Sequence, residues 1–266
     1  MALRGHCREL LGVDSDPDTL AQARQRSIFD SVSSDPAEIF PGTDLVVLSA
    51  PVGVILKTIQ DLPALHPGTP VILDLGSTKE WICQAFSSLP LRFDPIGGHP
   101  MCGKERLGLE NADPGIYRGA PFALTPLERT SLRGRKLAEQ LVKIIGAQPV
   151  WMDADVHDWW VASTSHLPYL LSVALTLATP EDASPLVGPG FRSTTRLAAT
   201  PPSMMMDVLK SNKENILKVA QAFRGNWAQV ERFLREDDFE NLAEILSRAS
   251  EDQQRLTGGL KKESQV

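Results

Sequence analysis

The sequence predicts an α/β chain, with a doubly wound, mostly parallel sheet over residues 1–153 and an all-α part over residues 154–266. Three observations carry this. The runs Leu45-Val46-Val47-Leu48 and Val71-Ile72-Leu73 are apolar without alternation, the mark of strands covered on both faces. Helical patterns stand between such runs, and strand–helix alternation builds a parallel sheet under helices. Beyond Asp153 the strands stop, and long helical patterns follow at 155–177, 202–223 and 227–246.

Each element has its own signal. After a short basic lead-in at 1–5, residues 8–14 read as a strand ending on the carboxylate of Asp14. Asp16-Pro17-Asp18 starts a helix, with proline where the first turn tolerates it. Residues 31–35 read as a polar turn, 44–51 as the strongest strand, 54–62 as a helix, 71–75 as a second buried strand and 80–89 as a helix. Strands at 121–126 and 148–152 flank an amphipathic helix at 131–145. In the helical part, Trp159, Val161, Leu167, Leu170 and Leu171 make an apolar face wider than a small bundle hides, so a second copy of the chain is expected to cover it. The tail from 258 to 266 is polar and expected to fray.

Composition removes several function classes. The 266 residues are 42% hydrophobic and 23% charged, as in a soluble globular protein with one large domain or two ordinary ones. A net charge of -6, with basic residues scattered, argues against nucleic acid and against an anionic membrane surface as partners. The 3 cysteines, Cys7, Cys83 and Cys102, form neither a disulfide framework nor a zinc pattern, so no metal is expected and a cytoplasmic setting fits. No uninterrupted apolar run reaches membrane-spanning length, and residues 1–30 show no apolar core of signal-peptide type.

The chemistry centres on Ile96-Gly97-Gly98-His99-Pro100-Met101-Cys102-Gly103. Two glycines free the backbone and Pro100 disfavours helix at His99, which is expected on a constrained turn at the edge of the sheet. Asp14 closes a strand where dinucleotide folds keep an acid for the ribose hydroxyls, and its charge favours NAD over NADP. Ser49 and Pro51 end the strongest strand and are expected to line the cofactor crevice. Ser77 ends the next one, within plausible reach of His99. A serine–histidine pair also raises a hydrolase, yet Leu75-Gly76-Ser77-Thr78-Lys79 lacks the second glycine of a nucleophile elbow. In Ser165-His166-Leu167-Pro168, a proline inside an apolar helix costs about 3 kcal/mol, which points to a kink or a site. Gly188-Pro189-Gly190-Phe191-Arg192-Ser193-Thr194-Thr195-Arg196 reads as an anion clamp or as a solvated helix face.

Taken in order, these motifs resemble the prephenate/arogenate dehydrogenase family of tyrosine biosynthesis. The matches are Leu11-Gly12-Val13-Asp14, Asp74 through Lys79, Gly97 through Gly103, Ser165 through Pro168, and Gly190-Phe191-Arg192 through Arg196. The resemblance implies a Rossmann-like domain with a helical dimerisation domain, and oxidative decarboxylation of a cyclohexadienyl substrate with NAD. It implies His99 as the catalytic base, Ser77 orienting it, Arg196 on the substrate carboxylate and His166 facing the substrate side chain. Two features depart from the family pattern. No G-x-G-x-x-G occurs, so the chain is expected to be an N-terminally shortened dehydrogenase, and Ser193 stands where the family often carries aspartate. Prephenate is the expected substrate, with arogenate the alternative. A non-catalytic dimerisation partner of a complete enzyme is the reading from another class.

Overall fold

The computed structural model describes residues 3–103 and 108–258. The chain divides into two compact units between Lys213 and Glu214.

The first unit opens with β1 (Leu11–Val13), α1 (Pro17–Gln25), β2 (Ser31–Ser33) and α2 (Pro36–Ile39). β1 and β2 pair in parallel as a small sheet of their own. The start of α1 is written in the sequence. Asp16 accepts from the amides of Asp18 and Thr19, and Pro17 takes the first turn, where its missing N–H costs nothing. β2 corrects the reading of residues 31–35 as a turn. A three-residue Ser-Val-Ser strand shows too little apolar pattern to read, and it exists because β1 offers it a ladder.

The main sheet follows, with β3 (Leu45–Leu48), α3 (Val52–Leu65), β4 (Val71–Asp74), α4 (Glu80–Ser87), β5 (Asp94–Pro100), β6 (Pro121–Pro126), α5 (Leu132–Ile144) and β7 (Gln148–Trp151). Its order is β3-β4-β5-β6-β7, parallel except where β5 meets β6. Alternation along β4 shows why the apolar run is continuous. Ile72 joins a core with Val46, Leu48, Ile55, Ile59, Leu62, Ile82 and Phe86. Val71 and Leu73 join Ile96, Phe122, Leu124, Ala138 and Val142. Side chains two apart share a face, so a strand between two helical layers must be apolar throughout. Each such side chain contributes about 1.5–3 kcal/mol on burial. Among the described residues no ladder joins β1 to β3, and Val13 and Val47 stay 37% and 39% exposed.

The rest of the unit is helical, with α6 (Ala154–Val161), a π-helical turn at Ala162–His166, α7 (Leu167–Ala178), α8 (Pro189–Thr195) and α9 (Pro202–Ser211). The π turn is the outcome of Pro168. Proline lacks the N–H of an α-helical bond and collides with the carbonyl four residues earlier, and a wider turn removes both conflicts without ending the rod. The continuous rod Ala154–Ala178 is, by length and composition alone, long and apolar enough to cross a membrane, although its apolar run is interrupted. Its buried His157, Asp158 and His166 hide that length from a search for an uninterrupted apolar stretch. Val161 and Leu167, expected on a face shared with a second copy, are instead core residues, while Trp159 stays 44% exposed.

The second unit holds α10 (Lys213–Arg235) from its second residue on and α11 (Phe239–Gly258). The pattern at 227–246 predicts one helix, but the chain breaks inside it. Asp237 takes a left-handed conformation, with φ of 55°, and the amide of Asp238 reaches back to the carbonyl of Phe233 at 2.9 Å. Asp238 then caps α11 through the amide of Asn241 at 3.2 Å. The polar tail from 259 to 266 lies outside the described residues.

Candidate active site

His99 lies on β5, the middle strand of the main sheet, opposite Ala123 of β6. This corrects the expectation of a turn at the sheet edge. The glycines before it serve close approach. A β-carbon on Gly97 would strike the Thr125 hydroxyl, and one on Gly98 would sit 2.8 Å from the carbonyl oxygen of Asp74 and 2.9 Å from the Phe122 ring.

The strand is clamped from beneath by a buried pair. Asp74 ends β4, Lys79 precedes α4, and both side chains are 0% exposed and in contact. The Lys79 ammonium also donates to the carbonyl of Gly98 at 2.7 Å. The amide of Gly98 donates to Asp74 Oδ1 at 3.2 Å, and that of Gly76 to Oδ2 at 2.8 Å. Burial pushes the Asp74 carboxyl above its ordinary value, opposed by the Lys79 charge and these amides. Gly98 is thus held at both ends of its own backbone, one residue before the imidazole.

From the other side, α6 brings a relay. His99 Nδ1 meets His157 Nε2 at 2.9 Å, and His157 Nδ1 meets Asp158 Oδ1 at 2.8 Å. Asp158 also accepts the amides of Lys79 at 2.7 Å and Glu80 at 2.9 Å, the first turn of α4, where partial positive charge gathers. A carboxylate only accepts, so His157 Nδ1 carries the proton. For neutral rings His157 Nε2 then accepts from His99 Nδ1–H, and the lone pair of His99 lies on Nε2. Burial, reinforced by His157, Lys79 and His166, holds His99 well below the ordinary histidine range.

His166 closes the π turn. Its Nδ1 faces Asn212 Nδ2 at 3.1 Å, and the same amide nitrogen donates to the carbonyl of Asp158 at 2.7 Å. Burial lowers His166 to about 4, with Asp158 pulling the other way and His157 adding to the fall. A histidine neutral in the fold and protonated near 6.5 when unfolded makes the unfolded chain bind more protons in between. Stability contributed by His166 is therefore complete above pH 6.5 and falls as pH drops toward 4, by roughly 3 kcal/mol. Urea unfolding of His166→Gln between pH 7 and 4.5 is expected to show a shallower acid loss than the parent; an equal loss would refute this.

The remaining sequence candidates lie on other parts of the unit. Asp14 sits beyond β1, where its Oδ1 accepts the amide of Asp16 at 2.8 Å. Ser49 and Pro51 are exposed beyond the C-terminal end of β3. Ser77 is half-buried in the turn after β4, and among the described residues no hydrogen bond joins it to His99. Arg196 is exposed on the 3₁₀ turn after α8, a turn packed on α7. The sequence reading missed His157, Asp158 and Asn212. The adjacent His157-Asp158 in an apolar helix was the available signal, since such polar groups are buried only when partnered.

A mostly parallel sheet with an imidazole at the end of its central strand, followed by a helical region, defines the class: a nucleotide-binding α/β chain of dehydrogenase architecture. The family model for the prephenate dehydrogenase nucleotide-binding domain matches residues 1–150, and that for its dimerization domain matches residues 153–248. The chain belongs to the prephenate dehydrogenase family. It is 28% identical to the prephenate dehydrogenase of Bacillus subtilis over 88% of this chain, and spans 66% of that relative, just under two thirds. The structure of the prephenate dehydrogenase of Aquifex aeolicus, with hydroxyphenyl propionate and NAD+, superposes with a TM-score of 0.87 at 27% identity, covering 96% of this chain and 92% of that one. The Synechocystis arogenate dehydrogenase gives 0.79 at 26% identity, covering 96% and 94%.

Proposed function

We propose that the chain is an NAD-dependent prephenate dehydrogenase of the cytoplasm, converting prephenate to 4-hydroxyphenylpyruvate and carbon dioxide. The observation that carries this reading is His99, half-buried on the central strand with its Nδ1 engaged by His157. A neutral imidazole so held is a base for a hydroxyl proton.

The strand ends fit a dinucleotide. Among the described residues no protein group engages Asp14 Oδ2, which suits it to accept from ribose hydroxyls, and its charge disfavours a 2′-phosphate. Ser49 and Pro51 are exposed beyond the end of β3, where a dinucleotide fold takes its cofactor. When bound, NAD+ supplies the acceptor for a hydride. His99 takes the ring hydroxyl proton as hydride leaves the same carbon, and the electron pair of the departing carboxylate restores aromaticity. Arg196 is assigned to the substrate carboxylate, His166 to the side chain and Ser77 to orientation of the hydroxyl. Two copies are assigned to the working form, supported by exposed Leu175, Leu177 and Leu186 in the helical region.

The test is direct. Incubating the full chain with prephenate and NAD+ is expected to produce NADH and carbon dioxide in equal amounts, with arogenate turned over more slowly. No NADH from either substrate, with NAD+ or NADP+, would refute the reading.

A further inference from the structure

Asp158 touches both histidine chains, and it does so with different atoms. Its carboxylate binds His157, which binds His99. Its backbone carbonyl binds Asn212, which binds His166. The orientation of the Asn212 amide follows from chemistry. The atom facing a carbonyl oxygen at 2.7 Å must be the NH₂, because two oxygens cannot share a hydrogen bond without a proton donor. Its second hydrogen then points at His166 Nδ1, so that nitrogen accepts and the ring proton of a neutral His166 lies on Nε2. The opposite logic holds for His99, whose Nδ1 faces the bare Nε2 of His157 and must donate. Asp158 itself is fixed by the amides of Lys79 and Glu80, so neither chain starts from a mobile group.

We propose that Asp158 is the shared positioning residue of the site, holding His99 through His157 with a bare Nε2 and His166 through Asn212 with a protonated Nε2. The site then presents one proton acceptor and one hydrogen-bond donor from two residues of the same type. A donor at His166 complements the oxygen of a keto or carboxylate group and opposes an ammonium, which has only donors. This places a keto-acid side chain ahead of an amino-acid side chain, and that part rests on the dehydrogenase reading.

The tautomers can be read without turnover. In long-range ¹⁵N–¹H spectra of the ¹⁵N-histidine-labelled chain near pH 7.5, His99 is expected to carry its proton on Nδ1 and His166 on Nε2. Asp158→Asn removes the charge while keeping the shape, and is expected to shift His99 toward the Nε2–H form. If the chain turns over prephenate, kcat for this variant is expected to fall roughly 10²–10⁴-fold, as when the carboxylate orienting a catalytic histidine is replaced by its amide. KM is expected to stay close to the parent value. The proposal is overturned if His99 carries its proton on Nε2 in the parent chain, or if Asp158→Asn leaves both tautomer and kcat unchanged. The expected tautomers in a chain inactive toward prephenate would support the positioning role and refute the dehydrogenase reading instead.

Discussion

Replacing His99 by asparagine is expected to lower kcat for prephenate oxidation by about 10²–10⁴-fold with little change in KM, the usual contribution of a positioned general base. That corresponds to roughly 3–5 kcal/mol of transition-state stabilisation. Asparagine places an NH₂ group near the position of Nδ1, so the contact to His157 Nε2 is preserved and the strand keeps its partner. What disappears is the lone pair on Nε2. The pH profile separates this from a folding defect. In the parent, activity is expected to fall where His99 takes a proton, an event that burial with nearby positive groups holds well below 6.5. The acid limb therefore lies on the acid side of the ordinary histidine range, and the variant is expected to lack it. Undiminished turnover in the variant would remove His99 from the mechanism.

Replacing Lys79 by methionine is expected to cost about 3–5 kcal/mol of stability, because breaking a buried pair strands the remaining charge. At roughly 2–4 °C per kcal/mol for a chain of this size, the melting temperature is expected to fall about 6–20 °C. The sign of the pH dependence is fixed by Asp74. Burial already raises that carboxyl, and losing the Lys79 ammonium removes its largest opposing influence. A carboxyl whose folded value lies above its unfolded one contributes stability that is lost as pH rises through the folded value. The variant is therefore expected to lose more against the parent at pH 8 than at pH 5. Adding Asp74→Asn is expected to recover part of the loss, since a neutral amide needs no counter-ion. A Lys79→Met protein with unchanged denaturation midpoints would show that the pair is dispensable. Activity is expected to fall with stability, because the same ammonium holds the Gly98 carbonyl one residue from His99.

Much of the fold was legible because single residues decided it. The continuous apolar run Val71-Ile72-Leu73 is a strand under two layers, Leu45-Val46-Val47-Leu48 is a strand but an edge one with Val47 39% exposed, and Asp16-Pro17 begins a helix. β2 was not legible, because a polar three-residue strand depends on a neighbour rather than on its own pattern. His99 was found from its glycines, though for the wrong reason. They thin a central strand against Thr125 and Phe122; they do not bend a turn. His157 and Asp158 carry no spacing signature, since their partner His99 lies 58 residues upstream of His157 and meets it only after folding. Asn212 is a lone amide after a helix, and nothing local distinguishes it from a surface residue. Pro168 did announce irregularity, and the chain answered with a π turn where a kink was one expectation.

The relay that supports His99 crosses the seam between the two family models, since His99 falls within 1–150 while His157 and Asp158 fall within 153–248. Neither stretch alone contains both His99 and its partners His157 and Asp158. On the proposed function, the base is positioned only when the helix carrying His157 and Asp158 packs against the sheet. A chimaera of this chain cut between residues 150 and 153 is expected to keep the contact only where a histidine stands on both sides of the cut.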